Sequence, residues 1–296
     1  MTTSPFLLNK AILVTGAGTG IGRELALGLA REGALVGVND IGAAASNVAA
    51  EIQATGGRAI ACIGDISKES QAQAMVHQVV EQFGGIDGVV NNAGVLRDKL
   101  FHKLDTDDWK LVIDVHLHGS FHISRAAAPF FKEQQSGAMV HMTSTSGLIG
   151  NLGQSNYSAA KMGIVGLSRS IALDMAKFNV RSNCIAPFAW TAMTSSIPAV
   201  TPEQIARVER FKRMTPDKIV PLTAYLLSDR GSDVTGQIFS VRNNEVFVMS
   251  QPRPVRSVHR QEGWSAQTLA EHGMPALRAA FTPLERSADV FTWDPV

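Results

Sequence analysis

Short apolar runs alternate with longer stretches of helical periodicity along most of the chain. Lys10–Thr15, Ala34–Val38, Ala59–Ile63, Ile86–Val90, Gly137–Met142, Val180–Ile185 and Gly236–Val241 are apolar runs of strand length, most of them followed by glycine, asparagine or proline. They read as seven buried strands. Between them, Arg23–Arg31, Ser46–Thr55, a segment capped by Ser67 and ending at Phe83, Asp105–Phe131, Ser155–Lys177 and Ile219–Leu227 carry the helical pattern. Gly56-Gly57 and Gly84-Gly85 stop two of these helices, and Thr201-Pro202 opens a further one inside a long excursion, Phe188–Pro216, that reads as a substrate lid. Alternation with short connections predicts an α/β fold: a doubly wound, Rossmann-like, parallel seven-stranded sheet flanked by helices. We expect this domain to span 1–250. Residues 251–296 are a C-terminal extension too short for a core of its own, packed on the domain or on a neighbouring subunit.

In such sheets ligands bind outside the carboxyl ends of the strands, and several polar signals fall there. Gly16-Ala-Gly-Thr-Gly20-Ile-Gly22 joins the first strand to a helix. Glycines let the backbone approach a pyrophosphate, and the helix N-terminus offers unpaired N–H groups to its charge. The spacing is not that of the standard dinucleotide fingerprint, but the strand before it and the helix after it fit one. Asp40 ends the second strand, where a carboxylate accepts ribose hydroxyls and repels a 2′-phosphate. No arginine stands at the same strand end, so NAD is favoured over NADP. Asp65 and Asn92 end the third and fourth strands.

Tyr157 and Lys161 are four residues apart and share one helix face. A free phenol ionises near pH ~10; a cation beside it favours the phenolate. Ser144, at the end of the fifth strand, is placed to hydrogen-bond a substrate oxygen. Together the three describe a site that moves a proton on or off an alcohol oxygen.

Composition narrows the picture. The chain has 296 residues, is 45% hydrophobic and 18% charged, and carries a formal net charge of +1, so nothing marks a nucleic-acid surface. The first ten residues lack the pattern of a secretion signal, and no apolar run approaches the ~20 residues of a membrane span. Cys62 and Cys184 fall on strands in opposite halves of the sheet and read as reduced core residues of a cytoplasmic protein. His118 and His122 are spaced like metal ligands but read as polar or packing histidines, so no metal is expected. The basic run Arg253–Arg260 reads either as a contact for CoA phosphates or as a solvated segment.

Gly16-x-x-x-Gly20-x-Gly22, Asp65, Asn91-Asn-Ala-Gly94, Ser144 and Tyr157-x-x-x-Lys161, in this order, resemble the short-chain dehydrogenase/reductase family over roughly Asn9–Met249. The resemblance implies that Gly16, Thr19, Gly20 and Ile21 line the pyrophosphate, Asp40 the adenosine ribose, Asp65 and Ile66 the adenine, and Asn92 the neighbouring cofactor region. It implies that Ser144 orients the substrate, that Tyr157 is the acid/base, and that Lys161 lowers the phenol pKa and holds the nicotinamide ribose. Two positions depart from the family pattern. His116 stands where an asparagine commonly links the lysine through water to solvent; a proton relay through its ring keeps it among the catalytic candidates. Phe188 stands where glycine follows Pro187, leaving the nicotinamide contact to Thr191 or Thr194. Leu96-Arg-Asp98, Val115–Phe121 and Cys184-Ile-Ala-Pro187 resemble one branch of the family, the 3-hydroxyacyl-CoA dehydrogenase domains of peroxisomal multifunctional enzymes of type 2, also called 17β-hydroxysteroid dehydrogenase type 4. The expected function is therefore NAD-dependent interconversion of a secondary alcohol and a ketone, on a 3-hydroxyacyl-CoA or a hydroxysteroid, by a homodimer or homotetramer with no membrane or nucleic-acid partner. The alternatives are an NADPH-dependent ketoacyl reductase and a non-catalytic nucleotide-binding protein.

Overall fold

The apolar runs form β1 (Ala11–Val14), β2 (Leu35–Asp40), β3 (Arg58–Ile63), β4 (Gly88–Asn91), β5 (Gly137–Met142), β6 (Val180–Phe188) and β7 (Ile238–Arg242), with β8 (Glu245–Val248) added at the end. The helices are α1 (Gly20–Arg31), α2 (Ala44–Ala54), α3 (Glu69–Phe83), α4 (Thr106–Ile113), α5 (Gly119–Gln134), α6 (Thr145–Leu148), α7 (Ser155–Asp174), α8 (Pro202–Lys212) and α9 (Val220–Leu227). This is a computed structural model, and it describes residues 5–191 and 201–296.

One sheet runs in the order β3-β2-β1-β4-β5-β6-β7-β8, parallel throughout β1 to β7. Its eighth strand corrects the predicted seven. Arg242 pairs with Glu245, so Asn243-Asn244 is a two-residue turn with Asn243 at φ 55°, and β8 returns antiparallel along β7. Alternate side chains feed two cores. Ile12, Val14, Val36 and Ile185 pack with α1, α2 and α9 on one face; Leu13, Val89 and Met139 pack with α3 and α5 on the other, where α7 also covers Cys184 and Ile238. Each fully buried Leu or Ile here contributes about 1.5–3 kcal/mol. Cys62 and Cys184 are free and buried, with β2, β1, β4 and β5 between their strands.

Three local expectations change. Pro187 does not stop β6, which pairs with β7 as far as Phe188. Cys184 donates its N–H toward β7 while the Ile185 carbonyl accepts from Thr143 on the β5 side, so the Pro187 nitrogen faces a flank where β5 has already ended. Ser67 does not cap α3, whose first residue follows Lys68; Ser67 instead donates its N–H to the Asp65 carboxylate at 2.9 Å. The predicted helix from Asp105 begins as expected, Asp105 accepting the Asp108 N–H at 2.8 Å, but Asp114–His118 is wound as a π-helix between α4 and α5. On α7, Gly163 accommodates Leu117 of the same chain, whereas a Cβ at Gly166 meets nothing within 4 Å, so only part of its small-residue face is left for a partner helix.

The extension leaves the sheet at Gln251, whose side-chain amide donates to the Gly236 carbonyl at the amino end of β7. The basic run thus begins at the edge of the sheet opposite the carboxyl ends of the strands. The final residues return to those carboxyl ends. Ser287 donates its N–H to the Gly150 carbonyl at 3.0 Å, Asp294 pairs with Arg210 of α8 at 2.9 Å, and Phe291 packs on Phe188 with ring centroids 4.9 Å apart. Buried Arg242 donates to the Trp293 carbonyl and to Glu245, fastening the strap to the β7–β8 hairpin. Phe188, where the resemblance leads one to expect glycine, is the seat of this strap.

Candidate active site

A cleft of about 540 Å³ opens along the carboxyl ends of the strands. Its walls include Gly16, Thr19, Gly20, Ile21, Asp40 and Asp65 at one end, and His116, Tyr157, Lys161 and Thr191 at the other. Ile66 and Asn92 line it between them. The structure thus brings together every sequence-predicted cofactor residue. Thr194 lies outside the described residues.

The glycine turn is built for close approach. Gly16 and Gly20 have φ of +60° and +54°, a backbone region that favours glycine. A Cβ on Gly16 sits 2.6 Å from the Ala93 Cα. The Asn92 amide donates to the Thr15 and Gly16 carbonyls at 2.9 and 3.1 Å, locking the end of β4 to the turn. Asp40 accepts the Gly18 N–H at 3.0 Å and the Ile41 N–H at 2.8 Å, which holds its carboxylate at the mouth of the turn. A helix N-terminus, a carboxylate one strand away and an apolar floor of Ile41, Ile66 and Val115 fit a dinucleotide.

At the other end Ser144 caps α6, accepting the Ser146 N–H at 3.1 Å, and its hydroxyl also hydrogen-bonds the Tyr157 phenol. Asn156, fully buried, accepts the Tyr157 N–H at 2.8 Å and donates to the Arg97 carbonyl at 3.0 Å, which sets the first turn of α7. Lys161 is 4% exposed; its ammonium donates to the Met142 carbonyl at 2.6 Å and lies 5.5 Å from the centre of the Tyr157 ring.

The expected acidic phenol is not a property of the cofactor-free cleft. Burial pushes Tyr157 up to about 12, against the opposing hydrogen bond from Ser144, and Asp98 pushes the same way as burial. Burial draws Lys161 down to about 7. The low-polarity cleft disfavours both charges, and the lysine hydrogen bond is spent on the backbone.

His116 projects from the π-helical stretch into the same end of the cleft and is 2% exposed. Its ring stands edge-on to Tyr157, centroids 5.2 Å apart at 86°. Its Nε2 lies 3.0 Å from the Val95 N and 2.8 Å from the Val95 O. Behind the ring, a Cβ on Gly94 falls 2.2 Å from the His116 Cε1, so the Asn-Asn-Ala-Gly run ends in glycine to make room for the imidazole. One ring nitrogen of each of the i, i+4 histidines has a protein partner: His118 pairs with Asp114 at 2.9 Å, and the His122 Nδ1 lies 3.0 Å from the Ile66 carbonyl.

A second buried histidine, His141 on β5, joins Asn91 at 3.1 Å to Ser182 at 3.1 Å beneath the site. Burial, reinforced by the Lys161 charge, holds His116 down to about 3 and His141 down to about 4. Unfolded rings take a proton near 6.5, so between that value and about 4 the unfolded chain binds more protons and stability falls as pH drops. Each ring contributes about 1.4 kcal/mol per pH unit across that window. The urea midpoint should therefore drop sharply from about pH 7 to about pH 5; an unchanged midpoint contradicts the buried, neutral assignment.

Motif spacing picks out Gly94 but not its place behind the His116 ring, and it does not reveal the Val95 contact, or Arg242 and the strap it anchors. Only the apolar and aromatic residues after Gln251 hinted that the tail packs somewhere.

A family model described as short chain dehydrogenase matches residues 10–200. A short-chain type dehydrogenase/reductase of Mycobacterium tuberculosis is 45% identical over 77% of this chain and 81% of its own length. A hydroxyacyl-CoA dehydrogenase of the same organism is 38% identical over 86% of this chain and 84% of its own. The peroxisomal hydratase-dehydrogenase-epimerase of Neurospora crassa is 45% identical over 78% of this chain, which spans only 25% of that longer protein. Among solved structures, a short chain dehydrogenase from Mycobacterium avium superposes with a TM-score of 0.85 at 34% identity, covering 95% of this chain and 98% of that one. A 7α-hydroxysteroid dehydrogenase complexed with NADH and 7-oxo glycochenodeoxycholic acid superposes at 0.74 and 34% identity, covering 81% of this chain and 96% of that one.

Proposed function

This chain belongs to the short chain dehydrogenase family, and from that premise we propose that it is an NAD-dependent oxidoreductase interconverting a secondary alcohol and a ketone, with a 3-hydroxyacyl-CoA thioester or a hydroxysteroid as substrate. One observation carries the reading: Tyr157 and Lys161 close the end of the cleft whose other end is Asp40 and the glycine turn. The relatives that act on hydroxyacyl-CoA and hydroxysteroid compounds support the substrate class.

Gly16, Thr19, Gly20 and Ile21 hold the pyrophosphate, Asp40 the adenosine ribose, Asp65 and Ile66 the adenine, Asn92 and Thr191 the region toward the nicotinamide, and Tyr157 and Lys161 its ribose. When bound, NAD supplies the hydride acceptor and a positive ring at the head of the cleft. Ser144 donates to the substrate oxygen and orients it. Tyr157 takes the hydroxyl proton in oxidation and returns it in reduction, and Lys161 stabilises the phenolate between the two. Reduced, buried cysteines suit a cytoplasmic enzyme, and no helix among the described residues is long and apolar enough to cross a membrane. We take the working form to be a homodimer or homotetramer.

Purified protein mixed with NAD and a panel of 3-hydroxyacyl-CoAs and hydroxysteroids should generate nicotinamide absorbance with at least one of them. Silence across both classes, with either dinucleotide, sinks the reading.

Asp40 decides between NAD and NADP. Removing its charged hydrogen bonds to the ribose costs about 1.5–3 kcal/mol, so Asp40→Ser should raise the KM for NAD roughly 10–100-fold and relieve the repulsion of NADP. A KM for NAD within twofold of the parent, or a parent that prefers NADPH, points instead to the ketoacyl reductase.

A further inference from the structure

The last residues of the chain touch two walls of the catalytic end at once. Ser287 donates its N–H to the Gly150 carbonyl at 3.0 Å, and the strap passes so close that a Cβ on Gly150 falls 3.2 Å from the Glu285 carbonyl oxygen. Gly150 in turn donates its N–H to the Thr145 carbonyl of α6, the helix that Ser144 caps. Four residues further on, Phe291 packs on Phe188, three residues before Thr191. The Thr191 side chain lies over the glycine turn, where a Cβ on Gly20 falls 3.7 Å from its Cγ2. We propose that the strap is a spacer: Ser287 and Phe291 set the distance between the segment that follows Ser144 and the segment that carries Thr191, and through it the width of the gap in which the hydroxy substrate lies, with Phe291 as the positioning residue. The proposal rests on the oxidoreductase reading and adds a specificity element to it.

A spacer must be stiff, and this one is built so. Between its two anchors lies one helical turn, Ser287–Val290. At 1.5 Å per residue, four residues hold the anchors about 6 Å apart. The Arg286 guanidinium grips the Asp289 carboxylate with two hydrogen bonds of 2.8 and 2.6 Å, and the same carboxylate accepts the Arg286 N–H at 2.9 Å. A two-pronged pair of this kind fixes geometry, so the turn does not stretch without breaking it. Beyond the turn the chain is tied down again. Phe291 also packs on Phe247 and Trp293, with ring centroids 5.5 and 5.6 Å away. The Trp293 indole donates to Glu245 at 2.7 Å, and the Val296 carbonyl accepts the Asn244 N–H at 2.9 Å. All of these partners belong to the β7–β8 hairpin. The Phe291 end is therefore fixed to the sheet, and the Gly150 loop is the wall that the spacer holds in place.

Burial alone accounts poorly for these contacts. Leu284 is fully exposed and Val296 67% exposed, so the tail gains little by leaving water. What it reaches instead is the pair of segments that flank the reacting atoms. Its ion pair to α8, Asp294 with Arg210 at 2.9 Å, is exposed on both sides and contributes little. The aromatic seat is the stronger tie, and it needs a ring at position 188; a glycine there leaves Phe291 without this partner. Of the residues assigned to the dinucleotide, only Thr191 lies on a segment the strap holds. The glycine turn, Asp40 and Asp65 stand on other strand ends. A loosened spacer therefore acts on the substrate gap and leaves most of the dinucleotide contacts intact.

Two variants loosen the spacer in different ways. Phe291→Ala empties the seat, and a pair of glycines inserted between Val290 and Phe291 keeps every anchor but frees the spacing. Both should unfold at the parent's urea midpoint, bind NAD within about threefold of the parent, and raise the KM for the hydroxy substrate about tenfold with a smaller change in kcat. Phe291→Leu, which refills the seat, should return the KM to within about threefold of the parent. In a Phe188→Ala background Phe291→Ala should add nothing further, because the ring it acts through is gone. An unchanged KM in either loosened variant, an equal rise in the NAD dissociation constant, or additive effects of the two alanine changes overturns the proposal. Parent turnover separates the two levels: unaffected variants of an active parent remove the spacer and leave the oxidoreductase reading standing, whereas a parent inactive on every hydroxy substrate overturns both.

Discussion

Tyr157→Phe should reduce kcat by about 10⁴-fold or to the limit of detection while the dissociation constant for NAD rises by no more than about tenfold, the loss of one ribose hydrogen bond. In the proposed reaction the phenol is the group that exchanges a proton with the substrate oxygen. Ser144 is committed to the Ser146 N–H as well as to the phenol, and Lys161 gives a hydrogen bond to the Met142 carbonyl. Phenylalanine keeps the ring, its edge-on contact with His116 and the helical turn set by Asn156. The change therefore removes one oxygen and little else. Steady-state kinetics beside calorimetric NAD binding separates the outcomes: turnover within tenfold of the parent means that some other group is the acid/base. A loss of NAD affinity matching the loss of kcat means that the phenol is a binding group.

Gly22→Ala should have the largest effect on the fold around the cofactor. An added Cβ lies 2.1 Å from the Gly16 carbonyl oxygen and 2.5 Å from the Asn92 amide nitrogen. Neither can yield cheaply, because the Gly16 carbonyl accepts from that same amide and the amide also ties β4 to Thr15. Overpacking costs about 1–3 kcal/mol, and breaking the half-buried amide's hydrogen bonds adds about 1 kcal/mol or more. The expected outcome is a loss of about 3 kcal/mol or more in urea unfolding, with NAD binding undetectable. Gly42→Ala is the control: its Cβ meets nothing within 4 Å and its backbone lies outside the left-handed region, so stability should hardly move. Parity between the two variants contradicts the close-packed turn.

Much of the architecture is legible in the chain because it is local. Apolar runs such as Ala11–Val14 and Gly137–Met142 are buried on both faces of a parallel sheet and carry almost no polar residues. The glycine turn, Asp40 and the Tyr157/Lys161 spacing each follow from one strand end or one helical turn. What escaped the pattern depends on partners distant in sequence. Nothing near His116 announces that Gly94 has made space for its ring, or that Val95 satisfies one nitrogen and leaves the other unpaired. Asn243-Asn244 reads as a turn before Val246–Met249, but that this segment pairs back along β7 as an eighth strand is a long-range contact the pattern does not carry. The strap is visible as aromatic residues in a short tail, while its seat on Phe188 and Gly150 is not. The phenol is the instructive case: spacing places a cation beside it, but burial acts on both partners, and its sign is a property of the folded cleft.

With NAD bound, the positive nicotinamide ring and the neighbouring lysine should offset that burial and bring the phenol into a working range. The chain has two tyrosines, Tyr157 and Tyr225, so phenolate absorbance followed against pH, with the Tyr157→Phe protein subtracted, reports the Tyr157 phenol by itself. Without NAD it should ionise at about 12; with saturating NAD the midpoint should fall several pH units, to below about 9. A midpoint that NAD leaves unmoved would show that this phenol is not the group that takes the substrate's proton.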